Sequence, residues 1–383
     1  MASQNADINE AILASGESTL ERATARAQEQ TNELFNISLN IAVTGETGSG
    51  KSTFINAIRG LSDDDEGAAE TGVTETTKEP TPYKHPTMPR VVLWDLPGIG
   101  SANFKAKTYL KDVKIDNYDF FIIISSERFR ENDKMLAKEI QKRKKLFYFI
   151  RSKIDNDIRA EEGRRNFNRE ETLSKIRRYC EENLKEIQNA RVFLISSKNL
   201  SEYDFEALVF TLMSDLPEQK QKALLQSVPV SSLAILEKKV KMFEKAAWAA
   251  AFLSGGIAVV PVPGLSLACD ASILVTFFTS CYHSFGLDDK SLDRLAERVN
   301  KPHLKSLIKS PLVLGLASDS AMRLQMSALA GQSVVEYLCS LVPGVGSAAA
   351  SLMSFGFTYY LLQKGLKELA DTTRAVLREA GLQ

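Results

Sequence analysis

Leu39-Asn40-Ile41-Ala42-Val43-Thr44 runs directly into Gly45-Glu46-Thr47-Gly48-Ser49-Gly50-Lys51-Ser52, an apolar run that ends in the pattern GxxxxGK[ST]. The first part predicts a buried strand. The second predicts a turn whose glycines let backbone N–H groups face inward around phosphate oxygens. The helix that follows aims its positive N-terminal end at the same charge. In that arrangement Lys51 bridges the β and γ phosphates of a nucleotide, and the Ser52 hydroxyl ligates Mg²⁺. A strand before and a helix after are the context that separates this pattern from a chance glycine-rich turn.

Further apolar runs follow at intervals long enough for a helix: RVVLWDLPG from Arg90, YDFFIIIS from Tyr118, LFYFIRSK from Leu146 and RVFLISSK from Arg191. Short β-branched and aromatic runs alternating with amphipathic segments indicate buried strands of a largely parallel sheet, hence an α/β domain. Each run ends in polar residues of a defined kind. Asp95-Leu96-Pro97-Gly98 has the DxxG form, in which Asp95 would hold Mg²⁺ through water and the Gly98 amide would meet the γ-phosphate. Ser152-Lys153-Ile154-Asp155 follows the third of these runs. A carboxylate there accepts both N1–H and the 2-amino group of guanine, a pair adenine lacks, while Lys153 lies over the base. Such a site rejects the wrong base by roughly 10⁴-fold because its polar groups would stay unpaired. The usual first residue of this string is Asn, so Ser152 is a departure. One strand later, Ser196-Ser197-Lys198 falls where a second, weaker guanine-contacting loop would lie.

Glu66 to Thr77, polar and short of core residues, is the candidate switch loop. A threonine among Thr71, Thr74, Thr76 and Thr77 would ligate Mg²⁺ with GTP bound, Thr77 being the working assignment, so that the loop orders and disorders with hydrolysis. Ile99 stands where a water-orienting glutamine would follow DxPG.

The chain has 383 residues, 25% charged and 44% hydrophobic, with Lys plus Arg and Asp plus Glu both at 48. These are globular proportions, and the length predicts more than one domain. Zero net charge gives no global pull toward nucleic acid or acidic membranes, so nucleic acid is not an expected partner. Cys180, Cys269, Cys281 and Cys339 form no metal-ligand or CxxC pattern and read as free thiols. The histidines His85, His283 and His303 are scattered and read as structural. The N-terminal MASQNADINE lacks a secretory pattern, and Ala2 excludes N-myristoylation; a cytoplasmic protein is expected.

Beyond Asp215-Leu216-Pro217 the β signal ends and helix remains. The expected division is an N-terminal helical segment over 1–36, a nucleotide domain over 37–217 and a helical domain over 218–383. Ala246 to Cys269 and Tyr337 to Gln363 carry no charge and exceed the roughly 18 residues that flag a membrane span. Pro261, Pro263 and Gly264 interrupt the first, and Pro343, Gly344 and Gly346 the second, which leaves halves too short to cross. Helical hairpins follow, either packed in a helical core or able also to enter or lie on a bilayer.

GETGSGKS, GAAxTGVTET, WDLPGIG, YDFFIIIS, RFRENDKMLAKEI and SKID occur in this order, with SFGLDDKSL further on from Ser284. The assemblage resembles the immunity-related (interferon-inducible) GTPases, among them the members with a lysine in the P-loop. The resemblance implies a Ras-like P-loop GTPase domain on a helical domain built from both chain ends, that is, α/β plus all-α. It implies GTP hydrolysed to GDP with Mg²⁺, GTP-driven dimers or oligomers, related GTPases as partners and action at intracellular membranes. On matching positions, nucleotide contacts fall to Gly48, Gly50, Lys51, Ser52, Thr53, Thr71, Gly72, Lys153 and Asp155, with Glu75 the catalytic acidic residue. Ser152 is close to the family's usual threonine, and Ser197 replaces its common asparagine.

Overall fold

The computed structural model describes residues 36–382 other than 73–76, 78, 101–103, 128, 255–264 and 323–354, together with Ser18, Arg22 and Ala27. Its contacts divide the chain into two compact units, Ile37–Ser231, and Met1–Asn36 with Ser232–Gln383.

In the first unit, β1 (Leu39–Gly45) is followed by α1 (Lys51–Ile58), β2 (Thr81–Lys84), β3 (Val91–Asp95), α2 (Ala106–Asp112), β4 (Phe120–Ser125), α3 (Glu131–Lys142) and β5 (Leu146–Arg151). Then come α4 (Ile154–Glu162), α5 (Arg169–Leu184), β6 (Val192–Leu194), α6 (Phe205–Asp215) and α7 (Glu218–Ser227). The six strands form one sheet in the order β2-β3-β1-β4-β5-β6. All neighbours are parallel except β2, which runs antiparallel to β3. β4 is buried at every residue, as its unbroken FFIIIS requires when helices cover both faces. Phe121, Ile123, Phe149, Leu136 and Ile140 belong to the core that packs α3 on the sheet.

The sequence pattern predicts five of these strands and misses β2. TPYK has a proline and alternates half-buried with exposed residues, so it reads as loop. Pro82 is tolerated because β2 is an edge strand with a single partner. Arg59 fastens it, donating from Nε to the Lys84 carbonyl at 3.1 Å while its guanidinium lies over the Tyr83 ring.

The unit also runs past Pro217. α7 buries Ala223, Leu224 and Leu225, and the Lys220 ammonium bonds the Ser38 carbonyl and Asp119, which ties the helix to the start of β1.

The second unit holds α8 (Leu233–Ser254), α9 (Leu265–Ser284), α10 (Asp289–Arg298), α11 (Pro311–Met322) and α12 (Phe355–Ala380). Phe243 of α8 meets Phe277 and Phe285 edge to face. Ala246 to Phe252, the start of the first uncharged stretch, is buried throughout. α12 comes so close to α9 that a Cβ on Gly365 would lie 2.4 Å from Phe278 Cε1. Lys239, fully buried on α8, donates to Ser284 Oγ at 3.0 Å. Among the described residues no helix is long and apolar enough to cross a membrane. The helices expected over 1–36 and the Pro-Gly elements at 261–264 and 343–344 fall outside the described residues.

Candidate nucleotide site

The loop between β1 and α1 is set by backbone that only glycine adopts freely. Gly48 and Gly50 have φ of 77° and 92°, and Gly45 has 145°. At Gly45 space is also exhausted, since a Cβ would stand 2.1 Å from the Ile124 carbonyl oxygen of β4. Lys51 opens α1, buried, its ammonium donating to the carbonyls of Glu46 at 3.0 Å and Gly45 at 3.3 Å. Its charge therefore stands over the loop where phosphate would be held. Thr53 follows two residues on, half-buried.

Ser52 Oγ and Thr77 Oγ1 each donate to Asp95 Oδ2 at 3.0 Å. Asp95 is almost fully buried at the end of β3, and its Oδ1 has no hydrogen-bond partner. Burial raises the carboxyl pKa, while Lys51 and the two hydroxyls oppose that rise. P-loop, switch segment and DxxG strand thus meet on one carboxylate. Two hydroxyls and a carboxylate with a spare oxygen suit a hard cation such as Mg²⁺, which takes few protein ligands and completes its shell with phosphate and water.

Two side chains hold the loop after Asp95 from outside. Tyr109 of α2 donates to the Pro97 carbonyl at 3.0 Å and pairs with Thr44 Oγ1 at 2.9 Å. Asn132 of α3 donates to the Ile99 carbonyl at 2.6 Å. Gly98 lies between, half-exposed, and Ile99 is fully buried.

On the base side, Ser152 is the residue whose role the sequence leaves unread. Its buried hydroxyl donates to the Ser49 carbonyl at 2.6 Å, strapping the SKID loop to the P-loop. Lys153 has φ of 58° at the start of α4 and reaches across the P-loop to the Gly48 carbonyl at 2.7 Å. Asp155, half-exposed in the first turn of α4, makes no hydrogen bond or ion pair to a described residue. Its carboxylate is available to a ligand. Arg151, at the end of β5, fixes this corner by bonding the carbonyls of Ser126 and Ser152 and pairing with Asp157 at 2.7 Å. Ser197 is half-exposed beyond β6, and beside it Ser196 is fully buried with an unpartnered hydroxyl.

The geometry therefore brings together Gly48, Gly50, Lys51, Ser52, Thr77, Asp95 and Lys153. Thr71 and Gly72 are exposed and make no hydrogen bond to a described residue. Glu75, with Thr74 and Thr76, lies outside the described residues. Ser152, Arg151, Tyr109 and Asn132 were absent from the residues expected to carry the site. Apart from Arg151's bond to its neighbour Ser152, their bonds run to carbonyls a dozen or more residues away, which no local pattern announces.

Residues 4–380 match the family model for interferon-inducible GTPases. Interferon-inducible GTPase 5 of Rattus norvegicus is 40% identical over 362 residues, 93% of this chain and 78% of its own length. The Bos taurus protein of the same name is 41% identical over 345 residues, 88% of this chain and 74% of its own. Interferon-inducible GTPase 1 of Mus musculus is 42% identical over 295 residues, 76% of this chain and 71% of its own.

Proposed function

This chain belongs to the interferon-inducible GTPase family, and from that premise we propose that it is a Mg²⁺-dependent enzyme that hydrolyses GTP to GDP in pairs or larger assemblies of itself. The observation that carries the reading is the meeting of Ser52 and Thr77 on Asp95. It is the arrangement by which one cation, bound by the P-loop, also holds a switch loop in a GTP-dependent state. Lys51 neutralises β and γ oxygens, the Gly98 amide senses the γ-phosphate, and Asp155 selects guanine.

With Ile99 buried where a water-orienting glutamine would stand, a lone molecule should turn over slowly, on the order of 10⁻⁴ to 10⁻² per second. The missing groups then come from pairing. GTP orders the switch, the ordered faces join, and Glu75 positions the attacking water in the pair. Partners of the same kind, or related GTPases, complete the reaction. Family membership supports a role in cell-autonomous immunity, and the uncharged stretches Ala246 to Cys269 and Tyr337 to Gln363 are the segments it would bring to an intracellular membrane.

GTP turnover per molecule, measured over about a hundredfold range of protein concentration with and without liposomes, tests this. The rate should climb with concentration and vanish in Lys51→Ala, with liposomes adding to it. The buried Ile99 also favours a second reading, a nucleotide-binding regulator with negligible hydrolysis. Tight GTP binding with a flat rate near zero would select it.

A further inference from the structure

Pro97 and Gly98 share one peptide plane, so the Pro97 carbonyl and the Gly98 N–H point in opposite directions and turn together. Whatever grips the carbonyl sets the aim of the amide. Tyr109 grips it, its O–H donating to Pro97 O at 3.0 Å. The phenol proton being spent there, the 2.9 Å contact with Thr44 is a bond donated by the Thr44 hydroxyl to the phenol oxygen. Thr44 is fully buried and immediately precedes Gly45 on β1. The chain of bonds thus runs from the root of the P-loop through Tyr109 to the plane that carries the Gly98 amide.

Three nearby planes are held as well. Leu96 N–H bonds Val43 O at 2.9 Å, Ile99 N–H reaches Gly45 O at 3.4 Å, and Asn132 donates to Ile99 O at 2.6 Å. The Gly98 N–H has no partner among the described residues. A loop bonded on either side of one free amide is preorganised, in the sense that orienting the donor has been done before a ligand arrives.

We propose that Tyr109 is a positioning residue for γ-phosphate recognition, aiming the Gly98 amide through the Pro97–Gly98 plane, with Thr44 as its anchor. The proposal rests on the reading above that Gly98 meets the γ-phosphate. It makes the preference for GTP over GDP depend on a hydroxyl that touches neither nucleotide nor metal.

The full-length protein is titrated with fluorescent GDP and with a fluorescent non-hydrolysable GTP analogue in Mg²⁺. Wild type is compared with Tyr109→Phe, Thr44→Val and Gly98→Pro, the last of which removes the amide hydrogen, and thermal melting confirms the fold. Tyr109→Phe keeps the ring and loses the bond. It should weaken the GTP analogue by about three- to tenfold, the worth of one buried hydrogen bond, and leave GDP within about twofold. Thr44→Val should shift the same ratio by less. A merely structural tyrosine would lower both affinities together or only the melting temperature, so an unchanged ratio in Tyr109→Phe beside a lost ratio in Gly98→Pro overturns the proposal. An unchanged ratio in Gly98→Pro, which has no amide hydrogen to give, overturns the γ-phosphate reading itself, and the role of Tyr109 with it.

Discussion

Asp155 offers two acceptor oxygens to a ligand that presents two donors, which is what guanine has on its N1 and C2 edge. Xanthine keeps the N1–H but carries a carbonyl at C2, so it needs one acceptor and one donor from the protein. An asparagine supplies that pair. Asp155→Asn should therefore weaken GTP by about tenfold to a hundredfold and improve xanthosine triphosphate binding, as read by competition against fluorescent GDP; equal losses for both bases would refute it. Gly45 is constrained from two sides, by φ of 145° and by the Ile124 carbonyl at 2.1 Å from any added Cβ. Gly45→Ala should cost about 3 kcal/mol or more and abolish GDP binding, which melting and titration would show together. Both positions were legible in the sequence because the chemistry they perform demands one residue type at one spacing. Ser152 was not. Its departure from asparagine reads as weakness in the base-binding motif, yet its hydroxyl makes the strap to Ser49, a bond between residues over a hundred apart in the chain.

The parallel strands could be placed from their unbroken apolar runs, because burial on both faces leaves no choice of residue. β2 escaped because an edge strand asks so little of its side chains: half of TPYK faces solvent, and its place is fixed by Arg59 rather than by its own composition. The close approach of α12 to α9 was likewise invisible, since a glycine in a helix gives no sign of what it faces. At Gly365 it faces Phe278, a fully buried ring. Gly365→Ala would gain helix propensity in isolation, but here the methyl group needs room the rigid ring occupies. The expected outcome is a net loss of about 1–3 kcal/mol, measured by denaturant unfolding, with a stabilised variant as the contrary result.

Lys239 places a titratable amine in the apolar interior of the helical unit, with Ser284 as a hydroxyl partner. Burial holds its pKa well below the ordinary 10.5. Between that lowered value and 10.5 the unfolded chain binds more protons than the folded one, so this group makes stability rise with pH across the window; below it, the cost of burying the amine is felt in full. Lys239→Met, similar in length and uncharged, should melt several degrees higher at pH 7 and lose the rise toward pH 10. A lower melting temperature with the rise retained would show that the amine is satisfied where it is. The division of the chain carries a demand of another sort. Ile37–Ser231 is a continuous stretch, whereas the other unit is drawn from Met1–Asn36 and Ser232–Gln383. On the ribosome the sheet-bearing unit can complete itself as soon as Ser231 emerges, before the helices that follow Ser232 have been made. A translational pause after Ser231 would therefore delay the helical unit while leaving the nucleotide site already built.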